Sequence, residues 1–233
     1  MPSSVDYVIA FLGTLLEVGV VVCALRRRVF RRYFFLNLFV VLDVCASLGR
    51  YYVLKHEGLL SPAYSYFYFY SDALLTIILF FGLISLYAYV FEELNVESYI
   101  RLGTIVLLAG TAVFSYAVVS QASGRLSTHF ALELSQNLYF VGLVLTYILW
   151  GAVLKLRETR ALLVQLVLSL GVYFSAYAAL YALSNLHSEL FTHYLHNMVG
   201  VIGCLLPLSW AYAFWRVPDE ARLVPARLAA VPR

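Results

Sequence analysis

Apolar runs recur along the chain at positions 5–25, 34–54, 63–91, 99–121, 131–154, 161–183 and 194–215, separated by short polar or basic stretches. Each is about 20 residues or longer, and at a rise of about 1.5 Å per residue that length crosses a bilayer core as one α-helix. The pattern therefore predicts an all-α polytopic membrane protein with seven transmembrane helices. One run reads ambiguously at first. The stretch AYSYFYFYSDALLTIILFF, positions 63–81, opens with aromatic and hydroxyl residues alternating as in a β-strand. On a helix, Ser65, Tyr68, Phe69, Asp72 and Thr76 share one face while Tyr66 and Tyr70 point elsewhere, so the whole run is read as helix. Its tyrosines at the start suit a headgroup layer, where a ring with one wet end is favoured.

Composition agrees: 63% of residues are hydrophobic and 12% charged, against about 25% charged in a soluble domain. The first run differs from a cleaved signal peptide because its basic residues follow the apolar core, no small-residue cleavage site is present, and Glu17 interrupts it. It is expected to be a retained helix. Cys23, Cys45 and Cys204 all fall inside spans, without the spacing of a disulfide framework or zinc knuckle, and are expected to be small buried packing residues.

The basic residues set an orientation. Arg26, Arg27, Arg28, Arg31 and Arg32, then Arg101, then Lys155, Arg157 and Arg160, and finally Arg216, Arg222, Arg227 and Arg233 lie on one side, against Arg50, Lys55 and Arg125 on the other. Lys and Arg are retained in the cytoplasm, so the N-terminus is expected outside and the C-terminus inside, in a bacterial-type cell inner membrane. The net charge of +3 then reflects topology and lipid headgroups, and nothing points to nucleic acid. Positions 1–215 are expected to form a single seven-helix domain, and 216–233 a short cytoplasmic tail that its prolines keep disordered.

Laying positions 11–54 on 140–183 without a gap matches Phe11 with Phe140, Gly13 with Gly142, Arg28 with Arg157, Arg31 with Arg160 and Tyr52 with Tyr181. Because spans one and five run in the same direction, this would be a parallel three-plus-one-plus-three repeat. Matches by chance in a chain rich in Leu and Val, and basic residues placed by topology, are the other account. The layout resembles that of sugar-transporting seven-helix proteins, but those flex at prolines in several spans, and here Pro207 alone lies well inside one. The seventh span has no lysine for a retinal Schiff base. The histidine in an early span that the seven-helix zinc hydrolases would require is missing, as are a Ser-His-Asp set and a phosphate loop.

Ionisable residues in hydrocarbon face the bundle interior and find partners. Glu17, Asp43 and Asp72 lie about 9 to 12 residues from the outer ends of their spans, hence roughly 14 to 18 Å deep and at one level. Three carboxylates there would repel, so at least one is expected to carry a proton, the setting of a proton relay or a polar ligand site. Arg50 shares the Asp43 face two turns nearer the outside, and Tyr68, one turn from Asp72, is placed to give it a phenolic hydrogen bond. The histidines cluster at the outer side, with His129 and Glu133 four apart and His193 three before His196, but no segment carries a strong metal signature and no metal or cofactor is expected.

The expected function is an outward-facing polar pocket that binds a small ligand or senses a condition without catalysis. Asp43, Arg50 and Asp72 give it polarity, and Tyr68, Asn137, His196 and Asn197 line it. Besides the lipid bilayer, a small molecule and a cytoplasmic or membrane protein are the expected partners. A small-solute or proton-coupled transporter and a membrane hydrolase working through Asp43 and Asp72 are the alternatives.

Overall fold

Residues 4–58, 60–92, 97–120, 126–156, 160–186, 188–218 and 221–222 are described by a computed structural model. They form seven helices: α1 Ser4–Arg26, α2 Phe34–Glu57, α3 Pro62–Val90, α4 Glu97–Ser120, α5 Leu126–Lys155, α6 Ala161–Leu186 and α7 Ser188–Arg216. Among the described residues six helices, α2 to α7, are long and apolar enough to cross a membrane. The chain is an all-α membrane protein. Where the apolar runs predict seven spans, the structure supports six; α1, 23 residues long, is not among them.

Local chemistry sets the helix ends. After α1, Arg28 adopts a left-handed φ of 59°, its N–H bonds the Leu25 carbonyl at 3.1 Å and the Val29 N–H bonds the Ala24 carbonyl at 3.1 Å. That pair of bonds is a Schellman stop, here with arginine where glycine is usual. Gly58, with φ of 82°, ends α2. Ser61 caps α3, its hydroxyl accepting from the Tyr64 N–H at 3.1 Å, and Pro62 supplies the first helical residue without an N–H to satisfy.

The helices pack as a closed ring in the order α1, α2, α3, α5, α6, α7 and back to α1, while α4 lies outside it, mainly against α5. The α4 contact face carries buried Thr104, Thr111 and Ser115, whose hydroxyls bond carbonyls one turn back at 2.7 to 2.8 Å. Small side chains with internally satisfied hydroxyls let helices approach closely in lipid. The outward faces are apolar, as with Phe11, Val113 and Val172. Close approach is tightest at Gly142, where a Cβ would stand 2.5 Å from the Phe174 ring, and at Gly49, where it would stand 2.5 Å from the Phe67 ring.

One end of the ring is basic and is tied together by main-chain contacts. Arg27 donates to the Trp215 carbonyl, and the Tyr89 hydroxyl donates to the Arg32 carbonyl. Arg160 donates to the Tyr89 carbonyl at 2.7 Å and pairs with Glu92 at 3.4 Å. The segment after α7 returns here, the Ala221 carbonyl accepting from the Ala161 N–H at 2.9 Å. The cysteines depart from expectation: Cys45 is exposed and Cys23 and Cys204 are half-buried, all three as free thiols. Cys45 sits on the outward side of α2, where apolar character suffices and burial is not required.

Candidate functional site

The site is built from side chains that five of the ring helices turn inward. Asp43 and Arg50 lie seven apart on α2 and therefore share a face two turns apart. Tyr68, Ser71 and Asp72 come from α3, Glu17 from α1, Ser135 and Tyr139 from α5, and Tyr173, Tyr177 and Tyr181 from α6. Three carboxyl groups form a row: Glu17 lies within hydrogen-bonding reach of Asp43, Asp43 within electrostatic reach of Asp72, and Asp72 beside Ser135. Two carboxyls as close as Glu17 and Asp43 repel when both are ionised.

Arg50 is the cation of the site; it acts electrostatically on Asp43 and Asp72, but its hydrogen bonds go elsewhere. Its Nε donates to Ser71 Oγ at 3.0 Å and its Nη2 to the Tyr68 carbonyl at 3.5 Å. The guanidinium carbon stands 4.5 Å from the Tyr68 ring centroid, a cation–π seat. Among the described residues no ion pair joins Arg50 to Asp43 or Asp72. The phenolic bond from Tyr68 to Asp72 that the spacing suggested is not formed, because the ring lies under Arg50 instead. Thr76 does bond within its own helix, to the Asp72 carbonyl at 2.9 Å.

Across the interior stands a wall of tyrosines. Tyr139 stacks on Tyr177 with centroids 4.8 Å apart and planes within 8°, Tyr173 contacts Tyr177 at 4.7 Å, and Tyr181 contacts Tyr139 at 5.6 Å. These rings face the charged wall: Asp43 and Asp72 both act electrostatically on Tyr177, and Asp72 and Arg50 on Tyr181. Asp43, Arg50, Tyr68, Asp72, Tyr177 and Tyr181 each keep partial exposure, whereas Glu17, Ser135, Tyr139 and Tyr173 are buried.

Of the residues singled out in the sequence, the structure brings Glu17, Asp43, Arg50, Tyr68 and Asp72 together. Asn137 lies elsewhere: its Nδ2 donates to Ser115 Oγ at 3.0 Å, which ties α5 to the outer helix α4. The side chains of His196 and Asn197 lie outside the described residues, as does that of His193. His129 is exposed and Glu133 half-buried, and among the described residues no group of three or more His, Cys, Asp or Glu is placed to hold a metal. The tyrosine wall is what the sequence reading missed. Tyr173, Tyr177 and Tyr181 recur every four residues, a stripe on one helix face that was available as a signal.

The arrangement brings carboxyl acceptors, one fixed cation and aromatic faces together between the helices. No protein family matches the chain, and neither does any curated protein or solved structure.

Proposed function

We propose that this is a multi-pass inner-membrane protein, N-terminus outside and C-terminus inside, whose ring interior is an outward-facing pocket. The pocket binds a small polar molecule without catalysis, and binding is passed to a cytoplasmic or membrane protein partner at the basic end. The observation that carries the reading is the facing of the two walls, carboxyl row against tyrosine stripe, with partial exposure between them. Polar groups in hydrocarbon are costly, and a pocket is the use that offsets the cost. Arg50, Tyr68 and Tyr181 lie toward the α2–α3 end, which is the outer end in this orientation. At the other end Arg26, Arg28 and Arg31 are exposed and available to a partner or to anionic headgroups.

Orientation is checked by labelling. A cysteine placed at Ser123 in a background free of native cysteines should react from outside, and a reporter fused after Arg233 should be cytoplasmic. Reversed labelling would turn the pocket mouth inward and end the outward-sensing reading.

A second reading, transport, draws support from the ring itself. Exchanging α1 with α5, α2 with α6 and α3 with α7 leaves the neighbour pattern unchanged: α1·α7 becomes α5·α3, α1·α2 becomes α5·α6, and α2·α3 becomes α6·α7. A parallel three-plus-one-plus-three repeat has this property, with α4 as the joining helix. Binding and flux measurements separate the two. In nanodiscs, the binding reading expects a solute at about 100 times its Kd to stabilise the protein by about 2.7 kcal/mol, with no uptake into proteoliposomes. Sustained uptake of that solute would make transport the function.

A further inference from the structure

We propose that the pocket selects a small organic ammonium ion bearing N–H donors, seated between the carboxyl row and the tyrosine wall. The proposal rests on the pocket reading above and names its ligand class. Charge comes first. Three carboxyl groups, Glu17, Asp43 and Asp72, stand against the single guanidinium of Arg50, so acidic groups predominate in the field a ligand would meet. An anion would enter against that field, and a neutral solute would leave it uncompensated.

Unused hydrogen-bonding capacity points the same way. Glu17 is 7% exposed and its Oε2 has no hydrogen-bond partner; Ser135 is 0% exposed and its Oγ has none either, although it lies beside Asp72. Buried polar atoms are ordinarily paired, so these two unpaired acceptors beside Asp43 and Asp72 are unused capacity for a ligand's donors. The opposite wall supplies what an alkylammonium ion prefers over water, the negative faces of aromatic rings. The site already holds one nitrogen cation in this way, Arg50 on Tyr68 at 4.5 Å. A hard inorganic ion is the poorer fit, because it asks for oxygen ligands on most sides and half of this site is ring surface.

The test uses the full chain in nanodiscs and three solutes with one carbon skeleton, n-butylammonium, 1-butanol and butyrate, with sodium chloride as the fourth arm, read by titration calorimetry and thermal shift. The expected result is binding of n-butylammonium, with 1-butanol, butyrate and sodium each at least about tenfold weaker. Tyr177→Phe, which keeps the ring face, should bind within about threefold of wild type, while Tyr177→Leu should lose at least about tenfold. Asp72→Asn should lose as much; were it not to fold, the Tyr177 pair carries the test. Equal binding of 1-butanol or butyrate overturns the inference, as does Tyr177→Leu binding like wild type, or no binding of n-butylammonium up to tens of millimolar. Should butyrate or 1-butanol then stabilise wild type but not Asp72→Asn, the pocket reading stands and only the ligand class falls. With no solute binding and Asp72→Asn silent, both fall.

Discussion

Asp72→Asn is expected to unfold at the wild-type temperature yet lose ligand binding by at least about tenfold, equivalent to about 1.4 kcal/mol. The amide keeps the size of the carboxyl and most of its hydrogen bonding but cannot carry charge or a proton. Asp72 is the link between the two halves of the site: it adjoins Asp43 on one side and Ser135 on the other, and it acts on Tyr139, Tyr177 and Tyr181 across the interior. Asp72→Leu should differ from Asn by losing stability as well. It removes the carboxyl that lies beside Ser135 of α5, and polar contacts between helices in a membrane contribute about 0.6 to 1.7 kcal/mol. Thermal unfolding and ligand titration on the same three proteins separate the cases. A loss of stability in Leu with unchanged binding in Asn would make Asp72 a structural hydrogen-bonding group. Full binding in both variants would remove Asp72 from the site and the pocket reading with it.

What the sequence could disclose follows from which interactions are local. The apolar runs locate the helices to within a few residues, since a run long enough to cross hydrocarbon must be helical and its ends are marked by local signals such as Ser61–Pro62 before α3. Depth along a helix is equally local, which is why one level can be assigned to Glu17, Asp43 and Asp72 from their positions alone. Neighbour order around the ring is not local. Asn137 looks like a lining residue at the head of α5, and only the position of α4 outside the ring turns it toward Ser115. The same missing information hid the tyrosines of α6. Their spacing is visible, but which wall they face depends on α6 standing opposite the charged helices α2 and α3. Tyr68 shows a third limit: its hydroxyl is one turn from Asp72, yet Arg50 from another helix claims the ring face.

Trp210→Ala is expected to cost about 3 to 5 kcal/mol of stability. Trp210 is fully buried on α7. Its indole N–H donates to Ser169 Oγ on α6 at 2.9 Å, and its ring meets Phe39 on α2 edge to face at 6.2 Å. In a bilayer little stability comes from expelling water, so the packing itself holds the helices, and removing the indole forfeits its contacts. Trp210→Phe should recover most of the loss, because Ser169 keeps its bond to the Leu166 carbonyl at 2.9 Å and only one indole hydrogen bond, worth about 1 kcal/mol, is gone. The position gives the change a second consequence. Phe39 lies one turn before Asp43 and Ser169 one turn before Tyr173, so Trp210 is the floor on which the charged wall and the tyrosine wall both stand. Its removal should let α2 and α6 shift relative to one another and weaken ligand binding even at temperatures where Trp210→Ala remains folded. Thermal unfolding of the Ala and Phe variants, followed by ligand titration well below the lower midpoint, reads both effects. Wild-type affinity in a folded Ala variant would mean that the site is held by α3 and α5 alone and that Trp210 only packs the ring.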